Sequence, residues 1–255
     1  MKFAKYQASG NDFVMLDNCS HLTEEQIKYL CDRHFGIGAD GIVILQKTDP
    51  KVYDFEMKFY NPDGSTGMFC GNGGRCAVAF ARDLGLIFDN CFFIAPDGEH
   101  KATIEDNNVI LSMSNPSNLK QFKDGWFIDT GTQHFVKFVD NVDLIDVNKE
   151  GKIIRFDKRF VMYGGTNASF VQVTANHLKI RTYERGVEAE TLSCGTAVTA
   201  AAVIHFIGNN MSGNEVVKVS TKGGILQVRI CGEGSTISNT FLEGEAVRVF
   251  EGKIT

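Results

Sequence analysis

Two matching junctions constrain this chain more than anything else in it. Cys70-Gly71 and Cys194-Gly195 each close a polar loop and open an apolar segment of helical length, and they stand 124 residues apart in a chain of 255. Other pairs keep nearly the same spacing. Phe13-Val14 with Asp17-Asn18 recurs as Phe135-Val136 with Asp140-Asn141, 122 to 123 residues on. From Cys70 to Gly98 is 28 residues and from Cys194 to Gly223 is 29; both glycines are expected in turns between strands. A fixed offset near half the chain length is the signature of an internal duplication. The expected unit is strand, polar loop, Cys-Gly, buried helix, hairpin, present twice. The N-terminal lobe is set at 1–116 and the C-terminal lobe at 117–240, joined within the polar stretch 115–125 around Pro116. The last strand, 241–255, is free to return to the first lobe.

Runs of β-branched and aromatic residues of strand length fill both halves: 13–17, 42–46, 55–60, 91–95, 109–113, 135–139, 170–173, 178–183, 216–220 and 225–230. Three helices interrupt them. The first follows a capping box from Thr23 to Gln26 and carries Ile27, Leu30 and Cys31. The second opens at Gly71, carries Ala77, Val78, Phe80, Ala81 and Leu84, and stops at Gly85. The third opens at Gly195 and is apolar on nearly every face as far as Gly208. A helix apolar all round is a buried helix. The fold class is therefore α+β, with two buried helices among many strands.

Composition narrows the function. The chain is 43% hydrophobic and 22% charged with a net charge of −5 and no long basic run, so neither nucleic acid nor an anionic membrane surface is an expected partner. The first fifteen residues lack the apolar core of a signal peptide and no stretch approaches a membrane span, so a cytoplasmic location is expected. Seven cysteines, at 19, 31, 70, 76, 91, 194 and 231, form an odd set with no Cys-x-x-Cys and no zinc spacing. Free thiols in a reducing compartment are expected, with no metal site.

Of these thiols, Cys70 and Cys194 stand apart as a symmetric pair. In Cys70-Gly-Asn-Gly-Gly-Arg-Cys76 the glycines let backbone approach a ligand, and a helix start points free N–H groups outward. The field there stabilises an anion, whether a substrate carboxylate or a thiolate. Cys194-Gly-Thr-Ala repeats the arrangement. Inverting a stereocentre requires a proton removed from one face of a carbon and another delivered to the opposite face. Two thiols supply the base and the acid without a pyridoxal-type cofactor, and proton transfer favours groups that titrate near the working pH.

Seven segments in order resemble the diaminopimelate epimerase family over essentially the whole chain: Ser9-Gly-Asn-Asp-Phe-Val14, Phe35-Gly-Ile-Gly-Ala-Asp-Gly41, Asn61-Pro-Asp-Gly64, the Cys70–Cys76 segment, Gly165-Thr-Asn167, Tyr183-Glu-Arg-Gly186 and Glu190-Thr-Leu-Ser-Cys-Gly-Thr196. The resemblance implies two pseudo-symmetric lobes, each a central buried helix wrapped by a mixed β-sheet or barrel, with the active site in the cleft between them. It implies cofactor-independent epimerisation of LL-2,6-diaminopimelate to the meso isomer, for lysine and peptidoglycan precursors, by a homodimer. It gives Cys70 and Cys194 the acid and base roles. Asn11, Asn61, Asn167, Glu184 and Arg185 become substrate contacts, Gly71, Asn72, Gly195 and Thr196 donors to the carboxylate, and His134 a group near the reaction centre. Glutamate beside arginine suits a far end that carries both ammonium and carboxylate.

Plainer readings stand beside these: Asn11, Asn61 and Asn167 as turn residues, Glu184 and Arg185 as a solvated strand end, Arg75 as a buttress of its loop. The chain also departs from its relatives. Gly41 stands where some carry a glutamine that reaches the substrate. Thr132-Gln133-His134 replaces Asn-Pro-His, which puts Thr132 in doubt as a ligand. The Glu-Arg loop holds one extra residue, and Ala197-Val198 replaces the usual Gly-Ala. A proline racemase type of two-cysteine enzyme is the nearest alternative, though those proteins usually carry histidine where this chain has Asn72. A two-lobed binding protein with inert buried cysteines is the distant one.

Overall fold

The computed structural model describes residues 1–19, 21–67 and 69–254. Thr255, the last residue of the expected C-terminal strand, lies outside them. The chain divides into two compact units, one from Met1 to Leu111 joined by the segment from Gly244, the other Ser112–Glu243. The first contains β1 (Lys2–Ala8), β2 (Asn11–Asp17), α1 (Glu24–Cys31), β3 (Gly41–Gln46), β4 (Phe55–Tyr60), α2 (Gly71–Asp83), β5 (Asn90–Ala95), β6 (Gly98–Glu105) and the start of β7 (Asn108–Met113). The second contains β8 (Ser117–Phe122), β9 (Gly125–Asp129), β10 (Gln133–Phe138), α3 (Val147–Arg155), β11 (Asn167–Val173), β12 (Leu178–Glu184), β13 (Ala189–Thr191), α4 (Gly195–Gly208), β14 (Ser212–Thr221), β15 (Gly224–Glu233) and most of β16 (Thr236–Glu245). A final strand, β17 (Val247–Lys253), pairs antiparallel with β1.

The duplication is visible in the pairing. In the first unit β1 and β2 are antiparallel, β2 and β3 parallel, β3 and β4 antiparallel, β4 and β5 parallel, and β5, β6 and β7 antiparallel in turn. The second unit repeats each step through β9, β10, β11, β12, β14, β15 and β16. In each unit one helix runs through the core. α2 packs on β1, β2, β3, β4, β6 and β17, and α4 on β9, β10, β11, β12, β14 and β15. A helix touched from all sides has no face for water. Every residue from Gly195 to Ile204 is accordingly buried, and in α2 burial takes in even Asn72 and Arg75.

The turn equivalence differs from the one the spacing suggested. Gly98 opens β6 and Gly224, not Gly223, opens β15; both have φ +132 after a two-residue turn, a backbone state that glycine adopts at little cost. The stretch 115–125 is no bare join. Ser117–Phe122 forms β8, antiparallel to β9, and was hidden because four of its six residues face solvent and no apolar alternation shows. α3 was hidden by its central glycine. A Cβ at Gly151 would stand 2.3 Å from the Cβ of Tyr183, so the glycine is what lets the helix lie on β12. The capping box of α1 forms as expected, with both reciprocal hydrogen bonds between Thr23 and Gln26 present.

Candidate active site

Each Cys-Gly junction is a helix start. Cys70 is the N-cap of α2 (φ −113, ψ 117) and Cys194 that of α4 (φ −127, ψ 112), and neither sulfur caps its own helix. The first intrahelical bonds run from Gly74 N to Cys70 O at 2.7 Å and from Val198 N to Cys194 O at 3.0 Å. The N–H groups of Gly71 and Asn72, and of Gly195 and Thr196, therefore precede the helical ladder and are oriented for an anion. Three buried cysteines are different. Burial pushes the Cys31 thiol up to about 11 and that of Cys91 up to about 12, and drives Cys76 higher still. A thiol held protonated so far above neutrality is a packing group.

In the first unit Cys70, Gly71, Asn72 and Asn11 come together. Cys70 Sγ lies 3.7 Å from Asn11 Oδ1, which accepts from Asn72 Nδ2 at 3.2 Å. Arg75, fully buried, donates from Nη2 to Asn72 Oδ1 at 2.9 Å and to Ser9 Oγ at 3.1 Å. Burial pulls its guanidinium down to about 10, so it stays a cation at neutral pH. Behind Asn11 stands a charged cluster that sequence reasoning missed. Arg33 binds both oxygens of Asp12 and one of Asp40, and Lys5 pairs with Asp12 at 2.7 Å. Burial acts to raise the Asp12 carboxyl, but Arg33 and Lys5 hold it far below the usual range. Asn61 sits in the turn after β4, donating from its amide to Ser65 Oγ at 3.0 Å and accepting from Gly64 N at 3.0 Å. Among the described residues it makes no hydrogen bond to the Cys70 group.

In the second unit Cys194, Thr196, Thr132, His134, Asn167 and Arg185 form one network, with Gly195 next in the chain after Cys194. Cys194 Sγ is 3.4 Å from Thr196 Oγ1, which lies 2.9 Å from His134 Nε2 and 3.1 Å from Thr132 Oγ1. Thr132 Oγ1 is itself 2.9 Å from His134 Nε2 and accepts from Asn167 Nδ2 at 3.4 Å. The hydroxyl in doubt at the Thr132 departure is thus central to the cluster. His134 is wholly buried. Burial first, and the Arg185 charge second, push it down to about 3, so it is a neutral imidazole. Asn167 donates to Gln133 O at 2.8 Å and accepts from Arg185 N at 2.8 Å. Arg185 Nη1 donates to Tyr163 O at 3.1 Å and Gly165 O at 3.4 Å. Among the described residues its Nε and Nη2 make no hydrogen bond, so one edge of the guanidinium is open to a carboxylate. Glu184, half-buried at the end of β12, accepts from Thr191 Oγ1 at 2.9 Å.

The chemistry available is proton transfer at two sulfurs, each beside backbone donors, with the open guanidinium edge of Arg185 suited to an anion and the half-buried carboxylate of Glu184 to a cation. Among the described residues no cluster of His, Cys, Asp and Glu is placed to hold a metal ion, and no helix is long and apolar enough to cross a membrane.

A model of the diaminopimelate epimerase family matches residues 3–119 and 126–249. A diaminopimelate epimerase of Flavobacterium psychrophilum is 44% identical over 262 aligned residues, covering all of both chains. One of Aquifex aeolicus is 36% identical over 277, covering all of this chain and 98% of its own. Among solved structures, a PhzF-family phenazine biosynthesis protein of Bacillus anthracis superposes with TM-score 0.79 at 15% identity, covering 100% of this chain and 99% of the other. A probable proline racemase of Agrobacterium radiobacter follows at 0.73 and 14%, covering 100% and 92%. At such low identity these two structures speak for the fold alone.

Proposed function

The chain belongs to the diaminopimelate epimerase family, and from that premise we propose that it converts LL-2,6-diaminopimelate to the meso isomer with Cys70 and Cys194 as opposed proton-transfer groups. The observation that carries the reading is the pair of cysteines, each at the N-cap of a buried helix in equivalent positions of a duplicated fold, in a chain matched over its full length by epimerases.

The chemistry balances without further reactants. One sulfur, as thiolate, takes the α-proton and becomes a thiol. The other, as thiol, delivers its proton to the opposite face and becomes a thiolate. Between the two events the α-carbon carries negative charge delocalised into the α-carboxylate. Backbone N–H groups of Gly71 and Asn72, and of Gly195 and Thr196, stabilise that charge as it develops. At the far end of the substrate, the open edge of Arg185 suits the carboxylate and Glu184 the ammonium. Asn11, Asn61 and Asn167 supply further amide contacts. The neutral His134 holds the Thr196 hydroxyl beside Cys194. Selectivity for a substrate with two amino-acid ends follows, because a site built to bind charged groups rejects a ligand that leaves them unpaired. The reading carries with it a cytoplasmic homodimer serving lysine and cell-wall precursor synthesis.

The test is incubation of the purified protein with LL-diaminopimelate and a panel of L-amino acids, followed by chiral chromatography. The meso isomer should form while the panel stays unchanged. Racemisation of proline or another monocarboxylic amino acid, with LL-diaminopimelate untouched, would place the chain with the alternative racemases.

A further inference from the structure

The hydrogen bonds behind Cys70 form a line with a charge at each end. Arg75 Nη2 donates to Asn72 Oδ1, Asn72 Nδ2 to Asn11 Oδ1, and Asn11 Nδ2 to Asp40 Oδ2 at 2.9, 3.2 and 2.7 Å. Asp40 is held in turn by Arg33 Nη2 at 2.7 Å on its other oxygen and by Asp12 N at 3.2 Å. A guanidinium only donates and a carboxylate only accepts. Both amides between them must therefore point the same way, each with its oxygen toward Arg75 and its nitrogen toward Asp40. We propose that Asp40 and Arg75 are positioning residues that lock the Asn11 amide with its oxygen beside the Cys70 sulfur, 3.7 Å away, and so set the polarity in which that thiol works. The proposal rests on Cys70 being one of the two proton-transfer groups.

The consequence has a definite sign. An amide oxygen accepts from an S–H group and opposes a thiolate, whereas an amide N–H₂ in the same place would donate to the thiolate and favour it. Were the Asn11 amide released, it could turn over and present its nitrogen. The charged and titratable groups about this line are Arg75 and Cys76 of α2, Lys5 of β1, Asp12 of β2, and Arg33 and Asp40 of the segment before β3. Around Cys194 the described hydrogen bonds run through hydroxyls instead. Thr196 Oγ1 lies by Cys194 Sγ, with the Thr132 hydroxyl and the neutral His134 imidazole beyond it, and hydroxyls reorient freely.

Asp40→Ala removes the carboxylate end, and Asp40→Asn is the conservative variant, since an amide oxygen there still accepts from Asn11 Nδ2. The probe is iodoacetamide, and the readout is the pH midpoint for alkylation of Cys70, with Cys194 in the same molecules as internal reference, by peptide mass spectrometry. No substrate is needed, so the result does not depend on which amino acid the protein epimerises. In Asp40→Ala the Cys70 midpoint should move to lower pH, with alkylation at neutral pH rising roughly tenfold, the effect of about one unit in the midpoint. Cys194 should not move, and Asp40→Asn should stay within about twofold of the parent on the same scale. If circular dichroism shows Asp40→Ala unfolded, Asp40→Leu, which also removes both oxygens but fills their space, replaces it with the same expected direction. A Cys70 midpoint that stays put or rises, or one that moves together with that of Cys194, overturns the proposal.

Discussion

Gly41, read from the sequence as a departure from a glutamine in some relatives, has no room for a side chain as packed. A Cβ there would lie 2.6 Å from the Phe59 ring and 2.8 Å from Tyr60 O. Gly41→Ala should therefore cost about 1–3 kcal/mol, the usual penalty of overpacking, measured by urea denaturation; an unchanged midpoint would show that Phe59 yields freely. At the thiols, Cys70→Ser and Cys194→Ser should each lower epimerisation by roughly a thousandfold or more with unfolding unchanged, since a hydroxyl is a far weaker acid and its anion far harder to form. A fully active Cys194→Ser protein would remove the two-thiol scheme. His134 gives a stability prediction. Its folded value of about 3 lies below the ordinary 6.5, so the unfolded chain binds the proton first. The stability it contributes is complete above about 6.5 and is lost as pH falls toward about 3, at up to about 1.4 kcal/mol per pH unit. His134→Gln should flatten that slope in urea titrations at pH 7 and pH 5; a slope as steep as the parent's would show that other groups carry it.

Among the elements, α3 sets two effects in opposition. Replacing Gly151 by alanine gains about 1 kcal/mol of helix propensity. The new Cβ, however, would meet Tyr183 Cβ at 2.3 Å and its ring at 2.7 Å, and separating packed elements costs more than that. Gly151→Ala should lower the melting temperature; a rise would mean that α3 moves off β12 without loss. The same glycine shows where sequence reading stops. α4 announced itself because burial on every side demands an apolar residue at nearly every position, and that demand is written locally. α3 and β8 carry their reasons elsewhere, in a contact with Tyr183 and in pairing with β9. β1, with buried Lys5 and Tyr6 between buried alanines, likewise shows little apolar alternation, and its place depends on pairing with β2 and β17.

At the scale of the whole molecule, two units share one order of pairings yet surround their sulfurs differently, with a line of amides between charges at Cys70 and a neutral cluster of hydroxyls and imidazole at Cys194. The repeat and both helix starts were legible because a duplicated backbone keeps its spacing even where side chains diverge. The partners of each thiol were less so. Asp40 lies 29 residues from Asn11 and Arg75 lies 66 from Ser9, and no local pattern links residues that only the fold brings together. Division of labour between two thiols has a direct isotopic consequence. In D2O the group that takes the substrate proton is not the group that delivers the new one, so meso product should carry deuterium at the inverted carbon from its first appearance. Unreacted LL substrate should stay largely protonated over the same interval. Early-time mass spectrometry of both isomers reads this, and product that retains the original proton would contradict opposed roles for Cys70 and Cys194.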